Sequence, residues 1–160
     1  MMDLIHYCAR HNIDEILELP DVKERVDLYF QYEEEFKEQL RKCTKVYNNL
    51  VIIDYRDEEI IYPGNRFMVY TLFPEQNISI HIFYAKDKDK VVFSTGKSIT
   101  NKTSKTNIGE LMLQYGGGGH ENAGACQIYK EESEKVLKEL IEKINQDGWL
   151  IFKKGLKIFF

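Results

Sequence analysis

Four consecutive glycines constrain this chain more than any other feature. They lie within Gln114-Tyr115-Gly116-Gly117-Gly118-Gly119-His120-Glu121-Asn122-Ala123-Gly124. Each glycine loses more backbone freedom on folding than any other residue and adds no side chain to a core. Such a run is useful where the backbone must take φ > 0 or come close to another molecule. Successive free N–H groups in a curled loop form a concave nest suited to phosphate. His120 follows at once and can donate to a phosphate oxygen or move a proton. Flexible linkers carry serine and polar neighbours. This run instead follows a periodic helix and leads into a β-like segment.

The chain has 160 residues, 43% of them hydrophobic and 12% aromatic, enough for a domain with its own core. A net charge of −4 argues against a general nucleic-acid coat protein. The charge is uneven. Asp14 to Glu38 holds ten acidic and three basic residues, whereas Lys86 to Lys105 holds six lysines and two aspartates. The basic segment lies just before the glycines, where it would steer an anionic ligand. Three widely spaced cysteines, Cys8, Cys43 and Cys126, suit a reducing cytoplasm. The sequence has no signal-peptide pattern and no apolar run long enough to cross a membrane.

Residues 3–19 read as a helical pair broken near His11-Asn12. His6, Cys8 and His11 do not share one helix face and make a poor ligand set. Leu19-Pro20-Asp21 starts a long amphipathic helix over 21–45, with Asp21 and Glu24 as a capping box. Its stripe is Val22, Val26, Tyr29, Phe30, Phe36 and Leu40. After Asn48-Asn49 the period becomes that of strands. These are expected at 50–55, 60–62, 67–73, 78–84 and 90–94, with Lys86-Asp87-Lys88-Asp89 as a hairpin turn. His81 reads as a structural residue on its strand. Gly96-Lys97-Ser98 lacks the first glycine of a phosphate-binding P-loop, since Val91 stands there. Asn107 caps a helix with the stripe Ile108, Leu111, Met112 and Tyr115, and Gly116 sits at its left-handed C-cap. A strand over 125–129, a helix over 131–146 and a terminal hairpin over 149–160 complete the chain. The predicted fold is mixed α/β (α+β): about five strands in a mixed sheet covered by helices, after an N-terminal connector helix.

Gly116-Gly117-Gly118-Gly119-His120 with Ala123-Gly124 resembles the signature of the DHH-associated C-terminal domain of the DHH phosphoesterase superfamily. The block from Ser94 to Thr103 and Thr106-Asn107-Ile108-Gly109-Glu110-Leu111 looks closest to the exopolyphosphatase-related and oligoribonuclease-like branch. The resemblance is dense from Val91 to Cys126. It implies a substrate-phosphate site made of Lys97, Ser98, Asn101, Gly117, Gly118, Gly119 and His120. It also implies a separate N-terminal domain holding two divalent metal ions, typically manganese, on an Asp-His-His motif that this sequence lacks. On that reading 1–46 connects from the catalytic domain, 47–160 binds substrate, and no catalytic or metal-binding residue lies in this chain. The partners are then a phosphorylated substrate (single-stranded nucleic acid, nucleotide or polyphosphate) and the DHH domain.

Two positions depart from the family pattern. Lys97 stands where arginine is common, and Glu121 where a basic residue is common. Both changes weaken the expectation of tight nucleic-acid binding and leave room for a small phosphorylated substrate. Two alternatives stay open. One is a stand-alone single-strand binding module that stacks bases on Tyr70, Tyr84, Phe93 or Tyr115. The other is an interaction domain, a homodimer included, using the stripe of helix 21–45.

Overall fold

Six strands form one mixed sheet in the order β1-β2-β3-β4-β6-β5. The computed structural model describes the backbone of residues 2–155 and the side chains of residues 4–147. The helices α1 (Met2–Cys8) and α2 (Ile13–Leu17) are the expected pair. Asn12 caps α2 and forms a capping box with Glu15.

The long helix expected over 21–45 is two helices, α3 (Pro20–Gln31) and α4 (Glu33–Cys43), which meet at Tyr32 with φ −109°. Pro20 opens α3 at the first helical position, so the cap expected at Asp21 does not form. The two helices differ in packing. Phe36, Gln39 and Leu40 of α4 are buried, whereas α3 buries nothing and leaves Phe30 66% exposed. Burial of Phe36 and Leu40 contributes about 1.5–3 kcal/mol each.

β1 (Thr44–Tyr47) takes residues that helical periodicity had claimed. It pairs antiparallel with β2 (Leu50–Asp54) across Asn48-Asn49, where Asn48 takes φ 53°. Asparagine accepts that left-handed turn at little cost. The expected boundary at 46–47 falls inside β1. β3 (Ile78–Tyr84) runs parallel to β2, so the chain must cross back before β3 begins. That crossover contains α5 (Met68–Leu72), not the strands expected at 60–62 and 67–73. The aromatic and β-branched content of 67–73 suggested a strand. The parallel connection, with Val69 and Tyr70 buried against the sheet, overrides it.

β3 and β4 (Lys90–Lys97) form the expected hairpin, β4 pairs with β6 (Ala123–Tyr129), and β5 (Gly118–His120) closes the edge. α6 (Ile108–Leu113) precedes β5, and α7 (Lys130–Gly155) follows β6. Because α7 runs to Gly155, residues 149–152 are helical rather than the first arm of a hairpin. Residues 156–160 lie outside the described residues. Among the described residues no helix is long and apolar enough to cross a membrane.

The sheet buries both faces unequally. Ile78, Ile80, Ile82, Phe93 and Ile128 pack beneath α6 and α7. On the other face Val51, Ile53 and Tyr55 pack against Phe36 and Leu40 of α4 and Val69 and Tyr70 of α5. This second cover reaches β4, where Gly96 is buried and Ser94 half-buried. The β6-β5 part of that face stays open, with Ala125, Gln127 and Gly118 exposed.

Candidate functional site

The glycine run divides into parts with different work. α6 begins at Asn107, whose side chain accepts from the Glu110 N–H at 3.2 Å. It ends in a left-handed cap. The Gly116 N–H donates to the Leu113 carbonyl at 3.1 Å and the Gly117 N–H to the Met112 carbonyl at 3.0 Å. Gly116 takes φ 72°, and these two bonds close the Schellman pattern. Gly117 is also packed tightly: a Cβ there would lie 2.1 Å from the Ala125 carbonyl oxygen. Gly117 therefore has no amide left for a ligand. Gly118 to His120 is an exposed edge strand, so the continuous nest expected over Gly117–His120 is not the conformation formed.

Directly opposed residues in a pleated sheet project on the same face. The register joins Ser79, Gly96, Ala123 and His120 in one row, and His81, Ser94, Ala125 and Gly118 in the next. His120 thus belongs to the open face. Its Nδ1 accepts from the Asn122 N–H at 3.3 Å, and the residue is exposed.

Arg66 stands over this face. A Cβ added to Gly96 would lie 3.4 Å from its Nη2. Among the described residues no carboxylate lies within ion-pair distance of Arg66. Below it, Tyr70 donates its hydroxyl to the Gly96 carbonyl at 2.7 Å and lies 2.8 Å from Ser79 Oγ. Sequence reasoning missed Arg66. The available signal was its isolation, since it is the one Lys or Arg between Arg56 and Lys86.

Three predicted residues hold loops. Lys97 alternates to the opposite face from Gly96. Its side chain is only 9% exposed, and its Nζ lies 3.4 Å from Glu121 Oε1. Ser98 is buried, and its Oγ accepts from the N–H groups of Thr100 and Asn101 at 3.2 and 3.0 Å. Asn101 donates to the Glu75 carbonyl at 3.0 Å and accepts from the Thr103 hydroxyl. The sheet therefore separates Lys97 from His120, and the hydroxyl of Ser98 and the amide of Asn101 are already engaged. The unusual Glu121 has a local reason in its pairing with Lys97.

A family model described as "DHHA1 domain" matches residues 65–146, from just before Arg66 to the end of the packed part of α7. The chain belongs to the DHHA1 domain family. Two solved structures are similar to it. One is the pGpG-specific phosphodiesterase PggH from Vibrio cholerae, with 57% identity and a TM-score of 0.78, covering 91% of this chain and 50% of that one. The other is an exopolyphosphatase-related protein from Bacteroides fragilis, with 21% identity and a TM-score of 0.55, covering 82% of this chain and 39% of that one. The chain therefore spans about half the length of the first relative. No curated protein matches it.

Beside the open face, the chain forms a cleft of about 380 Å³ between α4, the crossover and the sheet. Arg66 stands at it, and His81 and Ser94, opposed in register, line it. His81 is only 8% exposed, and its Nε2 is buried without a hydrogen-bond partner. It is therefore not the satisfied structural histidine expected from the strand. Burial, reinforced by the nearby Arg66 charge, lowers its pKa to about 4, so the imidazole is neutral at pH 7.

Gln39 holds the outer wall of the cleft. Its amide donates to Glu58 and to the Ile60 carbonyl, at 3.0 and 2.7 Å, and its oxygen accepts from the Tyr62 N–H at 3.1 Å. Of the four aromatic residues considered for base stacking, Tyr70 and Phe93 are buried, and Lys130 and Lys143 lie over the rings of Tyr84 and Tyr115. Among the described residues no three His, Cys, Asp or Glu side chains converge to hold a metal ion, His6, Cys8 and His11 included. These residues do not fit the two-metal site that the resemblance implies.

Proposed function

We propose that this chain is the substrate-recognising half of a DHH-family phosphodiesterase that hydrolyses short nucleotides such as pGpG. The observation that carries the reading is Arg66 over Gly96, with His120 at the exposed end of the same row. Gly96 leaves room for the guanidinium, and Ala123, Ala125 and Gly118 keep the neighbouring part of that face low, so a phosphate can approach it. Arg66 offers a forked donor to two phosphate oxygens, and His120 a ring N–H. Lys97, Ser98, Asn101 and Gly117 keep their place in the site as its frame, holding the tip of the β5-β6 hairpin and the 98–103 turn. The name of the similar PggH supports the nucleotide substrate.

In this reading the chain binds and orients the phosphoryl group, and its positive groups face charge that grows on the non-bridging oxygens. Water activation belongs to a DHH half, where two manganese ions would sit. The stripe of α3, Val22, Val26, Tyr29 and Phe30, of which none is buried, faces that half rather than a second copy. Three free cysteines accord with a cytoplasmic setting.

Isothermal titration of pGpG into the chain and into His120→Ala tests the reading. A Kd at least tenfold weaker for the variant is expected. Equal affinity overturns it.

A further inference from the structure

Resting on that reading, we infer that the cleft beside Arg66 is a purine-base subsite, so the substrate is recognised as a nucleotide and not as a chain of phosphates. The cleft's size lies within the roughly 300–1,000 Å³ of ligand sites. Phe36, Tyr62 and Phe83 are among its lining residues. Aromatic walls reward a planar, apolar-faced group and offer a bare polyphosphate nothing. The same lining carries two polar side chains next to each other, His81 and Ser94.

His81 is the independent pointer to a ligand. It is more than nine-tenths buried, and its Nε2 has no partner. An unpaired buried polar group costs about 1–3 kcal/mol. A neutral imidazole presents one donor and one acceptor nitrogen, and Ser94 adds a hydroxyl that does either. A purine edge offers both kinds of group. Backbone packing fixes the wall: a Cβ on Gly64 would fall 2.2 Å from the Phe36 ring, so only glycine lets the crossover close on α4.

The geometry links the cleft to the phosphate face. On β4, Ser94 and Gly96 are two residues apart, about 7 Å along the strand, a span that a ribose bridges, and His120 ends the Gly96 row two strands further across. Arg66 touches both places, since it lines the cleft and lies over Gly96. The base sits over His81 and Ser94 and the phosphate reaches towards His120.

The test is isothermal titration of the chain with guanosine 5′-monophosphate and, separately, ribose 5-phosphate, which carries the phosphate without the base. The nucleotide is expected to bind at least tenfold tighter. Ser94→Leu fills the cleft from its floor and removes that advantage, with ribose 5-phosphate affinity unchanged. His81→Phe keeps the ring volume, removes both nitrogens and weakens the nucleotide alone, while thermal unfolding reports whether each variant is folded. Full nucleotide affinity in both folded variants overturns the base subsite, whatever His120→Ala does. So does a wild-type chain that binds both probes equally or binds neither. If Ser94→Leu removes the nucleotide preference while His120→Ala changes neither probe, the base subsite stands and the phosphate assignment falls.

Discussion

Arg66 lies over Gly96, with its Nη2 3.4 Å from the point where a Cβ would stand. The glycine leaves room for the guanidinium above the strand, and Tyr70, on the same face, holds the strand by bonding to the Gly96 carbonyl. A branched side chain at this position would fill the space that the guanidinium occupies. Gly96→Val is expected to weaken pGpG binding about tenfold, the loss of one charge-assisted hydrogen bond of roughly 1.5 kcal/mol. Valine suits a strand, so thermal stability should hold. Titration paired with a melting curve separates the two effects.

The glycines at the end of α6 are predicted to differ in cost. Gly116 has a left-handed backbone with open space around its Cβ position, so Gly116→Ala should cost about 1 kcal/mol. Gly117→Ala should cost more, because its Cβ would meet the Ala125 backbone oxygen at 2.1 Å and nothing flexible can move away. Urea unfolding of the two variants gives the order directly. The reverse order would mean that the left-handed backbone at Gly116 outweighs the packing at Gly117.

Gln39 is expected to hold the crossover in place. Gln39→Leu preserves bulk on α4 but leaves the Tyr62 N–H and the Ile60 carbonyl without their partner. The cost should be about 1–3 kcal/mol, read as a lower urea midpoint. Arg66 lies in the same segment, so pGpG affinity should fall as well.

His81 gives a pH signature. Its pKa is lowered from 6.5 to about 4 in the folded chain, so the unfolded chain binds more protons between those values. Stability from the neutral imidazole is complete above about pH 6.5 and is lost as pH falls towards 4. The full loss is on the order of 3 kcal/mol. His81→Phe should flatten this part of the curve. Urea midpoints at pH 7 and pH 4.5 check it: the drop should be visibly smaller in the variant.

The sequence was most legible where one local rule decided the outcome. Asn107 and Gly116 bracket α6 as their chemistry requires, and the turn at Lys86–Asp89 makes the β3-β4 hairpin. It was least legible where distant pairing decided. Residues 67–73 look like a strand but form α5 because β2 and β3 are parallel. Thr44 and Lys45 look like the end of a helix but open β1 and pair with β2. The same limit applied to the site. The glycines and His120 stand out along the chain, whereas Arg66 reaches them only through the crossover. Lys97 is one residue from Gly96 in sequence, yet on the other face of the sheet. No local pattern states that His81 lacks a partner, since burial comes from α4 and the crossover.

The most direct measurement is the affinity of pGpG for the chain and for Arg66→Gln, taken by isothermal titration at one salt concentration. Glutamine retains a polar side chain but removes the charge and the fork. The account predicts a Kd at least tenfold weaker with an unchanged melting temperature. An Arg66→Gln chain that binds pGpG as tightly as the unaltered one would contradict it.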